Sequence, residues 1–166
     1  LLHGESKYID CLERTLYNGV ISGMSMDGGR FFYPNPLSSD GKYKFNSDGN
    51  TTRQPWFGCA CCPSNLCRFI PSVPGYLFGV KDNNIYVNLF AGNTSTIKVG
   101  GKNVVLEETT EYPWDGDIKI TVKKSAAKNA NLLVRIPGWV RNQVVPSDLY
   151  AYRDAEKPAY SVTVNG

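Results

Sequence analysis

Asp117-Ile118-Lys119-Ile120-Thr121-Val122-Lys123 alternates without a break. Ile118, Ile120 and Val122 fall on one face of an extended strand, Lys119, Thr121 and Lys123 on the other. One apolar and one polar face is the pattern of a half-buried antiparallel strand, so the three apolar residues are expected to point inward. Similar stretches surround it. Residues 76–80 and 84–90 read as strands joined by Lys81-Asp82-Asn83. Residues 95–99 and 103–112 flank Gly100-Gly101, a strong hairpin turn. Residues 132–136 form another strand, closed by Pro137-Gly138. Tyr160 to Val164 alternates again and runs into Asn165-Gly166, the first half of a hairpin. Short strands with frequent turn signals predict an antiparallel β-sandwich.

Upstream of Gly75 the texture is helical. Residues 6–22 read as a helix with Ser6 as its cap, Tyr8, Ile9, Leu12, Leu16 and Tyr17 on one side, and an Asp10–Arg14 pair at i,i+4. Cys11 reads as helix packing. Asp27-Gly28-Gly29 is a turn, and Phe31-Phe32-Tyr33 a short aromatic strand ended by Pro34 and Pro36. Residues 38–54 are rich in Ser, Asp, Asn and Gly and read as a long loop. Asn46, Asp48 and Asn50 alternate there as in a calcium loop, but the required Gly and distal Glu are missing. Residues 64–72 read as a short helix with Pro63 at its first position and Cys67 packed inside. The predicted fold class is therefore α+β, with a helical part over 1–75 and a β part over 76–166.

The 166 residues suffice for one ordinary domain or two small ones, and 42% hydrophobic with 20% charged residues is a globular composition. The net charge of +3 is spread along the chain, with no run of five like charges, which speaks against a nucleic-acid partner. No apolar run approaches a membrane span, so no membrane partner is expected. Leu1-Leu2-His3-Gly4 reads as the tail of a helix capped by Gly4. A helix tail at one end and half a hairpin at the other predict a fragment of a longer polypeptide, which would then be its principal partner. Oligomeric state is not legible.

Three of the five cysteines lie in Cys59-Ala60-Cys61-Cys62. Adjacent Cys61 and Cys62 are badly placed to pair with each other. Crowded thiols of this kind point to metal ligation or a reactive thiolate, and zinc is the metal that soft thiolates favour. A chance cluster in a buried turn is the bland alternative. A structural zinc site needs two ligand pairs, and here there is one cluster.

Several segments together resemble the β-L-arabinofuranosidase family (glycoside hydrolase family 127 and relatives). They are Lys7-Tyr8-Ile9-Asp10-Cys11-Leu12-Glu13-Arg14-Thr15-Leu16-Tyr17-Asn18-Gly19, Gly23-Met24-Ser25-Met26-Asp27-Gly28, Phe31-Phe32-Tyr33-Pro34-Asn35-Pro36-Leu37 and Trp56-Phe57-Gly58-Cys59-Ala60-Cys61-Cys62-Pro63-Ser64-Asn65. Arg135-Ile136-Pro137-Gly138-Trp139 marks the β half. The resemblance implies the last helices of an α/α barrel followed by a β-sandwich. It also implies a retaining glycosidase that carries zinc and acts on plant-derived glycans. Cys61 would be nucleophile and zinc ligand, and Cys62 a ligand. The remaining ligands and an acid/base glutamate would come from a segment preceding Leu1. Cys59 receives no role.

Such chemistry is reasonable from below. Retaining glycosidases usually use two carboxylates. A free thiol, with a pKa near ~8.5, is mostly protonated at neutrality, whereas a zinc-bound one is a thiolate. Glu107-Glu108 would point to opposite faces of a strand and offer no rival pair. Tyr33, Asn35 and Trp56 are candidate sugar contacts, since rings stack on sugars and an amide both donates and accepts; core and turn roles are the alternative. Two other functions stay open. One is a hydrolase of the same scaffold for a different plant sugar. The other is a non-catalytic β-sandwich carbohydrate-binding module with a structural zinc knuckle. The expected location is periplasmic or secreted, with a cytoplasmic enzyme digesting imported oligosaccharide compatible with reduced thiols.

Overall fold

The computed structural model describes residues 3–154 and 158–166, with Asp48 described by its backbone alone. The chain forms two compact units, one of Leu1–Cys11 with Gly75–Gly166, the other of Leu12–Pro74. The first unit carries six strands: β1 (Phe78–Lys81), β2 (Asn84–Val87), β3 (Asn93–Val99), β4 (Lys102–Thr110), β5 (Ile118–Ser125) and β6 (Asn131–Val134). They make two three-stranded sheets, ordered β1-β2-β6 and β3-β4-β5. Ile85 of the first sheet shares one buried cluster with Ile97, Val99, Val104 and Leu106 of the second. Full burial of such side chains is worth roughly 1.5–3 kcal/mol each. The hairpin β3–β4 turns on Gly100 and Gly101, whose φ values of +55° and +77° are those of a type I′ turn.

Four expectations need correction here. The β2–β6 pair is parallel, not antiparallel. All of the second sheet lies between these two strands in sequence, and so long a crossover is what parallel pairing requires. Val122 is 55% exposed, and Ile118 and Ile120 are only half-buried. β5 lies at the edge of its sheet, and its register slips where Val105 gives way to Leu106. Tyr160–Val164 is not a strand, and Tyr160, Val162 and Val164 are exposed. Alternation yields a strand only where a neighbour accepts its hydrogen bonds, and no described residue does so here. Asn165 and Gly166 nonetheless have φ values of +61° and +106°.

The fourth correction concerns the first helix. α1 spans Ser6–Thr15, then widens to a π-helical segment over Leu16–Val20 and tightens to a 3-10 turn over Ile21–Gly23. Asn18 Nδ2 donates to Arg14 O at 2.9 Å and Ser22 Oγ to Asn18 O at 2.7 Å. Side chains that compete for helical carbonyls in this way disturb the ladder. Ile9 and Glu13 are its buried residues, while Cys11 is exposed. Asp10 pairs with Arg135, not with Arg14. Gly4 has the left-handed φ of +69° that a capping glycine takes, but Leu1 and Leu2, in the helix it was expected to end, lie outside the described residues. No described helix is long and apolar enough to cross a membrane.

Candidate active site

In the second unit, α2 spans Cys61–Phe69 and continues as a 3-10 helix over Ile70–Tyr76. The helix begins at Cys61, three residues before the expected start. Ala60 is the capping residue, and Ser64 N–H donates to Ala60 O at 3.1 Å. Pro63 therefore occupies the third helical position. It is tolerated there because the first-turn N–H groups have no intrahelical partner. The shift matters chemically. It moves Cys61 and Cys62 from a loop into the first turn of a helix, where backbone N–H groups and the helix dipole favour a thiolate. Cys67 is exposed on this helix, not packed.

The strip Phe31–Tyr33 faces the cysteines. Phe31 bridges Met24 on one side and Gln54 on the other, exchanging hydrogen bonds of 2.7 and 2.8 Å with Gln54. Phe31 is buried and packs edge-on against Trp56, with ring centroids 5.9 Å apart. Tyr33 packs edge-on against buried Phe57 at 5.4 Å. These ring contacts aim the Tyr33 hydroxyl at Cys61 Sγ, 2.5 Å away. Arg53 stacks over Phe32 at 4.3 Å and donates to Ser22 O at 2.7 Å, tying the loop to the end of the first helix.

The three groups at the helix terminus divide their protons unequally. The Tyr33 hydrogen bond, reinforced by Cys62, lowers the pKa of Cys61 below the usual thiol value. The same bond raises the Tyr33 phenol, and the neighbouring Cys61 raises Cys62. Cys61 thus ionises first, with Tyr33 and Cys62 as its donors. Cys61 and Cys62 Sγ atoms lie 3.9 Å apart. Two sulfurs each ~2.3 Å from a tetrahedral centre stand about 3.8 Å apart, so the pair fits two corners of a zinc site. Among the described residues no cluster of three or more His, Cys, Asp or Glu side chains completes it.

The remaining candidates are placed as follows. Asn35 donates to Gly19 O at 3.3 Å and Ser22 Oγ at 3.0 Å. Trp56 is 51% exposed beside the strip. Cys59 is exposed on the approach to α2. Sequence reasoning met Asn46 only as part of a rejected calcium-like alternation and gave it no role in the site; it is buried and bonds the Tyr33 backbone. A signal existed in the spacing of Asn46 and Asn50 around Gly49, which closes a turn.

Comparison with known proteins places two family domains on the chain. Residues 1–75 match the β-L-arabinofuranosidase GH127 catalytic domain, and residues 84–166 match the GH127 middle domain. A non-reducing end β-L-arabinofuranosidase of Bifidobacterium longum subsp. longum is 33% identical over 99% of this chain and 23% of its own length. A solved GH127 β-arabinofuranosidase is 57% identical, with a TM-score of 0.89 over 99% of this chain and 25% of its own. The solved GH127 β-L-arabinofuranosidase from Geobacillus stearothermophilus T6 is 41% identical, with a TM-score of 0.70 over 83% of this chain and 22% of its own. The chain spans about a quarter of the length of these relatives.

Proposed function

We propose, for a chain that belongs to the β-L-arabinofuranosidase family GH127, that it supplies the nucleophile of a retaining glycosidase. The substrate is a plant-derived glycan bearing β-L-arabinofuranose. The observation that carries this reading is the Cys61 thiol in the first turn of α2, with the Tyr33 hydroxyl and the Cys62 thiol beside it. Cys61 attacks the anomeric carbon, the sugar–oxygen bond breaks, and the sugar is held as a thioglycoside on Sγ. Water then displaces Cys61, and two inversions return the original configuration. The acid/base carboxylate that protonates the leaving oxygen and activates water comes from elsewhere in the polypeptide. Tyr33 donates a hydrogen bond to the sulfur and holds it in place. Trp56 offers a ring face to the sugar, and Asn35, whose donors are engaged, offers Oδ1 to a sugar hydroxyl.

Cys61 and Cys62 would be two of the ligands of a zinc ion, which when bound would keep the nucleophile deprotonated at neutral pH. The adjacent sulfurs fit this role by their separation. The other ligands and the rest of an α/α barrel belong to other parts of the same polypeptide. A structural zinc knuckle would need a closed set of four ligands, and the described residues cluster fewer than three.

The test is made on the full-length enzyme. Cys61→Ser is expected to abolish turnover, and the released sugar of the unsubstituted enzyme to keep its anomeric configuration. A glycosyl electrophile directed at thiols is expected to label Cys61 alone. Inversion, or near-normal turnover by Cys61→Ser, would leave the resemblance as one of fold only.

A further inference from the structure

Asn46 is 3% exposed, so its amide must find partners inside the protein. Its Oδ1 accepts the Tyr33 N–H at 2.8 Å. Its Nδ2 donates to Thr52 O at 2.8 Å and to Phe31 O at 3.5 Å. Its backbone N–H donates to Asn50 O at 2.9 Å, and its carbonyl accepts Gly49 N–H at 3.2 Å. One side chain therefore joins three backbone sites, at residues 31, 33 and 52, where only isolated bridges exist and no regular sheet. Tyr33 is held at its backbone by Asn46 and at its ring by Phe57, and its hydroxyl meets Cys61.

We propose that Asn46 is a positioning residue: by fixing the Tyr33 backbone it sets where the Tyr33 hydroxyl stands relative to the Cys61 sulfur. Asn46 itself touches neither sulfur nor sugar. The inference rests on Cys61 as nucleophile with Tyr33 beside it. A displacement of about 1 Å at such a group costs up to about 100-fold in rate.

A double-substitution cycle in the full-length enzyme tests it, with Asn46→Ala, Tyr33→Phe and both together. Alone, Asn46→Ala is expected to lower kcat on an aryl β-L-arabinofuranoside by about 10–100-fold, with a smaller change in KM. In the Tyr33→Phe background the same change is expected to cost less than about threefold, because the hydroxyl it positions is already gone. Equal fold-losses in both backgrounds overturn the proposal and make Asn46 a general fold residue. Wild-type kcat in Tyr33→Phe overturns it by removing Tyr33 from the site. Full activity in Cys61→Ser shows instead that the thiolate reading has failed. Should Asn46→Ala not fold, Asn46→Asp replaces it in the same cycle. It keeps an acceptor for the Tyr33 N–H but loses the donor to Thr52 O and Phe31 O. It too should therefore lower kcat more with Tyr33 present than in the Tyr33→Phe background, and equal fold-losses in both backgrounds overturn the proposal.

Discussion

Asp10 in α1 and Arg135, separated by 125 residues, form a 2.8 Å ion pair in which the guanidinium side chain is only 3% exposed. Asp10 Oδ1 also accepts the Gly138 N–H at 3.1 Å, and Arg135 Nε donates to Asn88 O at 2.6 Å. The Arg135 guanidinium lies over the Phe90 ring at 5.2 Å. Two of the segments that carry the family resemblance, one from each half of the sequence, thus meet at a buried charge pair.

Removing the Asp10 charge should weaken this buried contact. Asp10→Asn keeps the shape but takes the charge from the 2.8 Å contact with the buried Arg135 guanidinium, and weakening a buried ion pair is destabilising. The expected result is a lower unfolding temperature for full-length Asp10→Asn. A single Asp10→Asn change that left thermal unfolding unmoved would show the pair to be energetically idle. Gly138→Ala should act at the same place, because a Cβ there would stand 2.8 Å from Asp10 Oδ2.

Glu108 predicts a pH dependence. It is 2% exposed; Oε2 accepts Asn93 Nδ2 at 3.2 Å, while Oε1 has no hydrogen-bond partner among the described residues. Burial pushes its pKa up to about 7, against the opposing hydrogen bonds from Asn93 and the Ala91 backbone. The folded state therefore binds this proton more tightly than the unfolded state. Glu108's favourable contribution is full below the unfolded value of 4.5 and falls as pH rises from there to about 7. Above that it is constant. Glu108→Gln, which imitates the protonated acid, should be more stable than wild type above pH ~7 by no more than roughly 3 kcal/mol. The two should converge below pH ~4.5. Denaturant titrations at several pH values check this, and a constant difference at all pH values would exclude it.

The β3–β4 turn makes a sharper local prediction. Gly100 has φ +55° and open space where a Cβ would go, so only backbone conformation is at stake. Gly100→Asn should be close to neutral, because Asn tolerates the left-handed region. Gly100→Val should lose about 1–2 kcal/mol, since a β-branched residue resists it. Equal stability of the two variants would mean the turn relaxes to another type.

What could be read in the sequence follows from the range of the forces involved. The alternation of Ile118 and Ile120 and the Gly100-Gly101 turn are local patterns, and the strands they predict are present. Val122 has the same pattern, but whether a face is covered depends on neighbouring strands, and its edge position leaves it exposed. Pro63 suggested a helix start because proline suits a first turn, yet it suits the third position as well, so the pattern left the two thiols outside the helix. Asn46 was read only within its own loop, because its partners Tyr33 and Thr52 lie 13 and 6 residues away. Tyr33 and Cys61 are 28 residues apart, a separation no local pattern reports.

The two thiols at the start of α2 should fail in different ways. Cys62 stands 3.9 Å from Cys61, and on the proposed reading it is a ligand without a bond to the sugar. Cys62→Ser replaces a soft thiolate with a hard hydroxyl that zinc holds poorly. Zinc content and turnover of the full-length enzyme should therefore fall together, and excess zinc should restore part of both. Cys61→Ser should stay inactive at any zinc concentration, because its loss is that of the nucleophile. Elemental analysis alongside turnover separates the two. Recovery of Cys61→Ser by zinc, or full zinc content with no activity in Cys62→Ser, would reverse the assigned roles.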